Sequence, residues 1–182
     1  MSHTSGARNE TRPEGEFEDL VRAHYAPLYR FALSLTRSET DASDLTQQTF
    51  LIWGGKGHQL RDRSRAKTWL FTTLHREFLR LRRHETRFPR VELSEAEPEL
   101  SVMEPEGIEI LKLDGVLRAL ARVEPLYQAT LSLFYLEQMS HREMADILGV
   151  PIGTVQSRLS RGKAQLRQLL GEDSALRLKD VR

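Results

Sequence analysis

The side chains whose types and spacing could do chemistry in this chain are cationic, and they fall into two groups. Between residues 61 and 90 stand Arg61, Arg63, Arg65, Lys67, Arg76, Arg80, Arg82, Arg83, Arg87 and Arg90, against only Asp62, Glu77 and Glu85. A second group, Arg158, Arg161, Lys163 and Arg167, lies between Pro151 and Gly171 with no acid among them. A solvated helix face usually mixes its signs, whereas cations gathered in this way build a local field toward a polyanion. The net charge of +1 conceals that segregation. The chemistry on offer is recognition of phosphates and bases.

Covalent chemistry has no comparable support. With no cysteine there is no thiolate nucleophile, no disulfide framework and no cysteine zinc site. His3, His24, His58, His75, His84 and His141 show no paired ligand spacing, so no metal is expected. Gly54-Gly55-Lys56-Gly57 has glycines and a lysine, but a phosphate loop needs its lysine followed by Ser or Thr after a strand, and here His58 follows in a helical context. No nucleophile and base are legible as a pair. The expectation is a binding protein that is not an enzyme, with no catalytic residue and no cofactor.

The elements that must position the second cationic group are the clearest in the chain. Ser140 and Glu143 have the spacing of a capping box, Gly149 stops a short helix, and Pro151 suits the first turn of the next, which should run to about Leu170. This is a helix-turn-helix pattern, whose second helix enters the major groove. Val155, Leu159, Leu166 and Leu169 face inward, which leaves Thr154, Gln156, Ser157, Arg158, Ser160 and Arg161 as the candidate duplex-binding residues. A helix from Pro125 to about Gln138, with Leu126, Ala129, Leu133 and Phe134 inward, and another from Ile108 to Val123 complete that unit.

The first cationic group follows three helical patterns. Phe17, Leu20, Val21, Leu28, Phe31 and Leu35 recur at spacings of three and four from Glu16 to Arg37, with a bend expected near Pro27. Ala42, Leu45, Ile52 and Trp53 suggest a helix from Asp41 to Trp53, ended by Gly54, Gly55 and Gly57. Trp69, Leu70, Leu74, Phe78 and Leu81 mark a third from Ala66 to about Arg83. Cations interleaved with Trp69 and Phe71 suit single-stranded nucleic acid, where bases stack on rings, although Trp69 reads better as core. The Gly- and Arg-rich loop from 54 to 65 could rim a base turned out of a duplex, or be a plain surface loop.

Apolar residues make up 39% of the 182, enough for a packed core, and no alternating run suggests a strand, so the fold class is all-α. Two small domains are expected, over 16–90 and 108–171, with a disordered tail over 1–15, a linker over 91–107 and a C-terminal tail over 172–182. From Val91 to Asp114 there are eight acids, one lysine and two prolines, which is why an acidic flexible connection is expected. The longest apolar run, Ala129 to Leu136, is too short to span a bilayer, and no secretory leader is evident; membrane insertion is not expected, and the cytoplasm is.

Three stretches carry a resemblance to a family. Asp41-Ala42-Ser43-Asp44-Leu45-Thr46-Gln47-Gln48-Thr49-Phe50, then Lys67-Thr68-Trp69-Leu70-Phe71, then Gly153-Thr154-Val155-Gln156-Ser157-Arg158-Leu159-Ser160-Arg161-Gly162 resemble, in order and spacing, the extracytoplasmic-function (ECF) sigma factors of the sigma-70 family. The likeness covers about residues 16 to 170. It implies a sigma-2 domain over 16–90, which binds the clamp helices of the largest subunit of core RNA polymerase and opens the minus-10 element. It implies a sigma-4 domain over 108–171, which reads the minus-35 duplex and contacts the polymerase flap, while the acidic linker threads toward the RNA exit path.

Carried over by position, Asp41, Asp44, Gln47 and Gln48 become core polymerase-binding residues, and Lys56, Arg61, Arg63, Arg65, Lys67, Arg76, Arg80 and Arg83 meet the minus-10 DNA. The partners implied are core RNA polymerase, promoter DNA and, for control, an anti-sigma factor or a regulatory kinase. The chain departs from the family pattern at four places. Arg76 stands where asparagine is common and Arg80 where aspartate is common, so the minus-10 bases cannot be borrowed. Ser43 and Gln48 stand where glutamate is usual, which removes negative charge from the clamp-binding surface and makes Ser43 a candidate phosphorylation site, because a phosphate restores about 1.5 to 2 negative charges. The rival expectation is a homodimeric helix-turn-helix regulator of duplex operators, which leaves the basic helix over 66–83 without a task.

Overall fold

A computed structural model describes residues 13–87 and 118–179, with side chains over 15–84 and 118–170. Residues 1–12 of the tail expected over 1–15, the acidic linker and most of the helix expected from Ile108 lie outside the described residues. Among the described residues there is no strand. Helix α1 spans Pro13–Thr36 and carries Pro27 within it. It begins earlier than expected because proline's missing N–H is no loss in a first turn, where that donor has no helical partner.

Helix α2 spans Glu39–Lys56 and is longer at both ends than its apolar pattern suggests. The Ser38 hydroxyl accepts from the Asp41 amide, and Glu39 and Asp41 supply negative charge to the first turn. Gly54 and Gly55 do not end it. The chain leaves at Gly57, whose amide still donates to the Trp53 carbonyl. Two single 3-10 turns, Gly57–Gln59 and Arg63–Arg65, lead into α3, Ala66–Arg87.

Residues 118–122 are helical and lead to α4, Pro125–Tyr135. Helix α5 is His141–Leu148, and α6 is Ile152–Lys179, which continues through Gly171. A glycine inside a helix costs about 1 kcal/mol. Ala175 and Leu176 beyond it are strong helix formers, and the helix does not stop there.

Helix α1 packs on α2 and α3, and α4 packs on α5 and α6. The two groups also meet: α1 lies against α4 and α3 against α5, so the buried side chains of both halves form one continuous cluster. Its N-terminal part is Leu28, Phe31, Leu45, Leu70, Phe71 and Leu74, all but inaccessible. Its C-terminal part includes Leu120, Leu131, Leu133, Met144, Ile147 and Val155. Three residues expected inside are not: Phe17 is exposed near the start of α1, Leu126 near the start of α4, and Leu81 in the last turns of α3.

Candidate nucleic-acid interface

The helix-turn-helix is built from local devices. Ser140 caps α5 by accepting from the Glu143 amide, and the Glu143 carboxylate accepts from the Ser140 amide at 2.8 Å. That contact holds the Glu143 carboxyl below its ordinary range, through the Ser140 hydroxyl first and its amide second. Gly149 ends α5 at φ 65°, a left-handed backbone that glycine adopts without a side-chain clash. The Pro151 carbonyl then accepts from both the Thr154 and Val155 amides, which starts α6.

Val155 and Leu159 are buried, as their spacing requires, and this turns the opposite side of α6 outward. Gln156, Ser157, Ser160 and Arg161 are exposed, while Thr154 and Arg158 are half-buried. Ser157 donates to the Thr154 carbonyl at 2.9 Å, so its hydroxyl oxygen remains able to accept. Ile152 is also exposed beside this face, an apolar surface that charge counting passes over. Lys163 turns elsewhere: its ammonium sits 3.9 Å from the Phe134 ring centre.

The other cationic surface rests on rings. Trp53 and Trp69 meet edge to face at 5.0 Å, and the Arg63 guanidinium lies 5.8 Å above the Trp53 ring. Gly57 lies so close beneath this pair that a Cβ there would stand 2.5 Å from the indole. Arg63 also donates to the Gly57 carbonyl. The segment from 54 to 65 is therefore not a loose rim: Gly54–Lys56 finish α2, and the remainder is two turns anchored on a tryptophan. Phe71 offers no stacking surface, being fully buried 5.4 Å from Phe31. Position on α3 next to Trp69 could not reveal this, because its partner lies on α1.

The expected cations divide by what they touch. Lys56, Arg61 and Arg76 are exposed. Arg80 is paired with Glu77 at 2.8 Å, and Arg83 donates to the Leu79 carbonyl of its own helix. Arg65 and Lys67 turn toward the C-terminal half, where Arg65 meets Asp146 at 3.3 Å and Lys67 donates to the Glu137 carbonyl.

On α2, Asp44, Gln47 and Gln48 are exposed and Asp41 is half-buried, with the exposed Leu51 beside them. Gln47 donates to the Ser43 hydroxyl at 3.1 Å. Among the described residues no group of three or more His, Asp or Glu could hold a metal ion, and no helix is long and apolar enough to cross a membrane.

A three-helix unit with a cationic third helix, followed in the same chain by a helix-turn-helix, is the arrangement of a two-part transcription factor. Comparison with known proteins agrees. The family pattern for sigma-70 region 2 matches residues 20–88, and that for sigma-70 region 4 matches residues 113–166. The RNA polymerase sigma-E factor of Streptomyces coelicolor is 34% identical over 158 residues, which is 85% of this chain and 86% of that protein. The ECF RNA polymerase sigma factor SigE of Mycolicibacterium smegmatis is 32% identical over 87% of this chain, which spans 63% of that relative's length.

Among solved structures, the sigma factor RpoE of Bartonella quintana in complex with the anti-sigma factor NepR has a TM-score of 0.67 at 28% identity, over 86% of this chain and 97% of that one. CnrH in complex with the cytosolic domain of CnrY has a TM-score of 0.64 at 25% identity, over 89% and 92%. The chain belongs to the sigma-70 family, as an RNA polymerase sigma factor of the ECF type.

Proposed function

We propose that this sigma factor binds core RNA polymerase through α2 and directs it to promoters whose minus-35 duplex is read by α6 and whose minus-10 strand is captured beside α3. Its sigma-2 domain is assigned to residues 16–90 and its sigma-4 domain to 108–171, with 91–107 as the link; α1 begins before the first, at Pro13, and α6 runs past the second, to Lys179. The observation that carries the reading is the outward face of α6, where Gln156, Ser157, Ser160 and Arg161 stand clear of the core on a helix held by a capped partner. The clamp helices are the partner proposed for Asp41, Asp44, Gln47 and Gln48, and the flap the partner proposed for the C-terminal half. Lys56, Arg61, Arg63, Arg65, Lys67, Arg76, Arg80 and Arg83 are proposed for the minus-10 strand.

The protein acts by binding alone, in the cytoplasm, and the polymerase does the chemistry. An anti-sigma factor is a proposed regulator, since the structural relative RpoE is held in complex with one. Phosphorylation is the other: Ser43 is half-buried under Gln47, and a phosphate there would add charge to the clamp-binding face. Full activity of a Ser43→Ala protein in cells would remove that proposal. A homodimeric regulator is not favoured, because it gives the region 2 match over 20–88 no role.

Transcription in vitro with core polymerase on a genomic promoter library tests the whole. The expected outcome is new start sites that depend on the added protein. In duplex binding, Arg161→Ala should weaken all sequences alike and lower the log-log salt slope by about one, whereas changes at Gln156 or Ser157 should alter base preference. An unchanged slope would contradict a phosphate role for Arg161.

A further inference from the structure

Two cations proposed for the minus-10 strand are engaged inside the protein. Arg65 lies 3.3 Å from Asp146 of α5, and the Lys67 ammonium lies 3.4 Å from the carbonyl of Glu137, just beyond α4. Arg30 of α1 joins them, 3.3 Å from the Glu137 carboxylate, which is only 7% exposed as a residue. Three cations from one half thus converge on two acidic residues of the other. Helix α6 is drawn into the same seam, for Arg158 lies near enough to the buried His75 of α3 to disfavour its charged form.

We propose that this seam is autoinhibitory: Asp146 and the Glu137 segment take the place that promoter phosphates would occupy on Arg65 and Lys67, so that the free protein is closed and must open to bind DNA. The inference rests on the reading of Arg65 and Lys67 as DNA-binding residues. A carboxylate and a carbonyl are weaker partners for a cation than a run of phosphates, so the contact holds the free chain and yields to nucleic acid. The seam's composition fits a contact that must part. Beside the apolar side chains that the two halves share, it buries a carboxyl and an imidazole, groups that are costly to keep from water and that gain by its opening. Arg65 and Asp146 each remain about half exposed, so a competing polyanion can reach them.

The absence of cysteine allows a direct test. Thr40→Cys on α2 and Ala164→Cys on α6, both exposed positions, carry a donor and an acceptor dye in the full chain. Into this background go Asp146→Asn, at an exposed pair that leaves the core untouched, and separately Arg30→Gln, which leaves the Glu137 carboxylate buried without its ion-pair partner. Each variant should lower energy transfer and tighten binding of a single-stranded oligothymidylate by threefold or more. Wild-type protein should open as the oligothymidylate is added, at a concentration that rises with salt.

Tighter binding with unchanged transfer would mean that only net charge had changed, and would overturn the proposal. Binding with neither quantity altered in both variants would overturn it while leaving the DNA assignment standing. Opening without binding of the oligothymidylate by any form would overturn the inhibitory role by removing the DNA assignment beneath it.

Discussion

The two halves hold their cationic surfaces by opposite means. In the C-terminal half the geometry is set within one short stretch: the reciprocal bonds of Ser140 and Glu143, the left-handed turn at Gly149 and the Pro151 carbonyl at the start of α6. In the N-terminal half it is set across the chain, by Phe31 against Phe71, Trp53 against Trp69 and Gly57 under the indole. Backbone devices degrade by small steps when one side chain is lost, whereas a surface resting on packed rings loses its support at once. The difference should therefore appear as unequal sensitivity to single substitutions.

The largest expected effect is Phe71→Ala. The ring is wholly buried, and removing such a side chain costs about 3 to 5 kcal/mol. Both tryptophans lie in this half, so urea unfolding followed by their fluorescence reports it directly. A midpoint unchanged from wild type would break the comparison. Gly57→Ala follows, since its new Cβ meets Trp53 ring atoms at 2.5 and 2.6 Å and the indole must move; a loss of about 1 to 3 kcal/mol is expected by the same measurement. Gly54→Ala is its control, because nothing lies within 4 Å of that Cβ and an alanine inside α2 should add up to about 1 kcal/mol. If the two glycines responded alike, the tryptophan floor would not be what shapes the turn.

Ser140→Ala should do less, about 1 kcal/mol for a lost cap. Amide hydrogen exchange should quicken in the first turn of α5 and leave the middle of α3 unchanged. Exchange rising equally in both halves would show that the capping box supports the whole molecule and not one motif.

The same contrast decides what could be read from the residues. Ser140, Glu143, Gly149 and Pro151 act on neighbours in the chain, so their spacing discloses the helix-turn-helix. Phe71 discloses nothing, because its partner Phe31 lies on another helix. Gly54 and Gly55 mislead for a related reason: glycine weakens a helix, yet α2 continues until Trp53 needs the space above Gly57. Leu126 misleads because helical spacing marks a face without saying which of its residues a partner covers. The ion pairs of Arg65 and Arg30 join residues far apart in sequence, and charge counting could show only that cations were plentiful there.

The smallest expected effect lies where the halves meet, and it concerns pH. Burial raises the Glu137 carboxyl to about 7, outweighing the attraction of Arg30 and Lys67 that would lower it. A carboxyl raised on closing stabilises the closed form below its ordinary pKa of 4.5, and that contribution is lost as pH climbs through 7. His75 moves the other way, to about 4, chiefly through burial and then through Arg158 and Arg76. Its neutral ring is no burden above pH 6.5, and its contribution is lost as pH falls through 4. Between 4.5 and 6.5 the two drifts oppose, so closure should be nearly flat there. It should weaken modestly as pH rises from 6.5 to 7, where only Glu137 still titrates, and again as pH falls below 4.5, where His75 is the group left to charge. Energy transfer between dyes at positions 40 and 164 reads this, and Glu137→Gln should abolish the upper limb alone. A steady rise in closure from pH 6 to 8 would reverse the sign and remove Glu137 as the group that decides it.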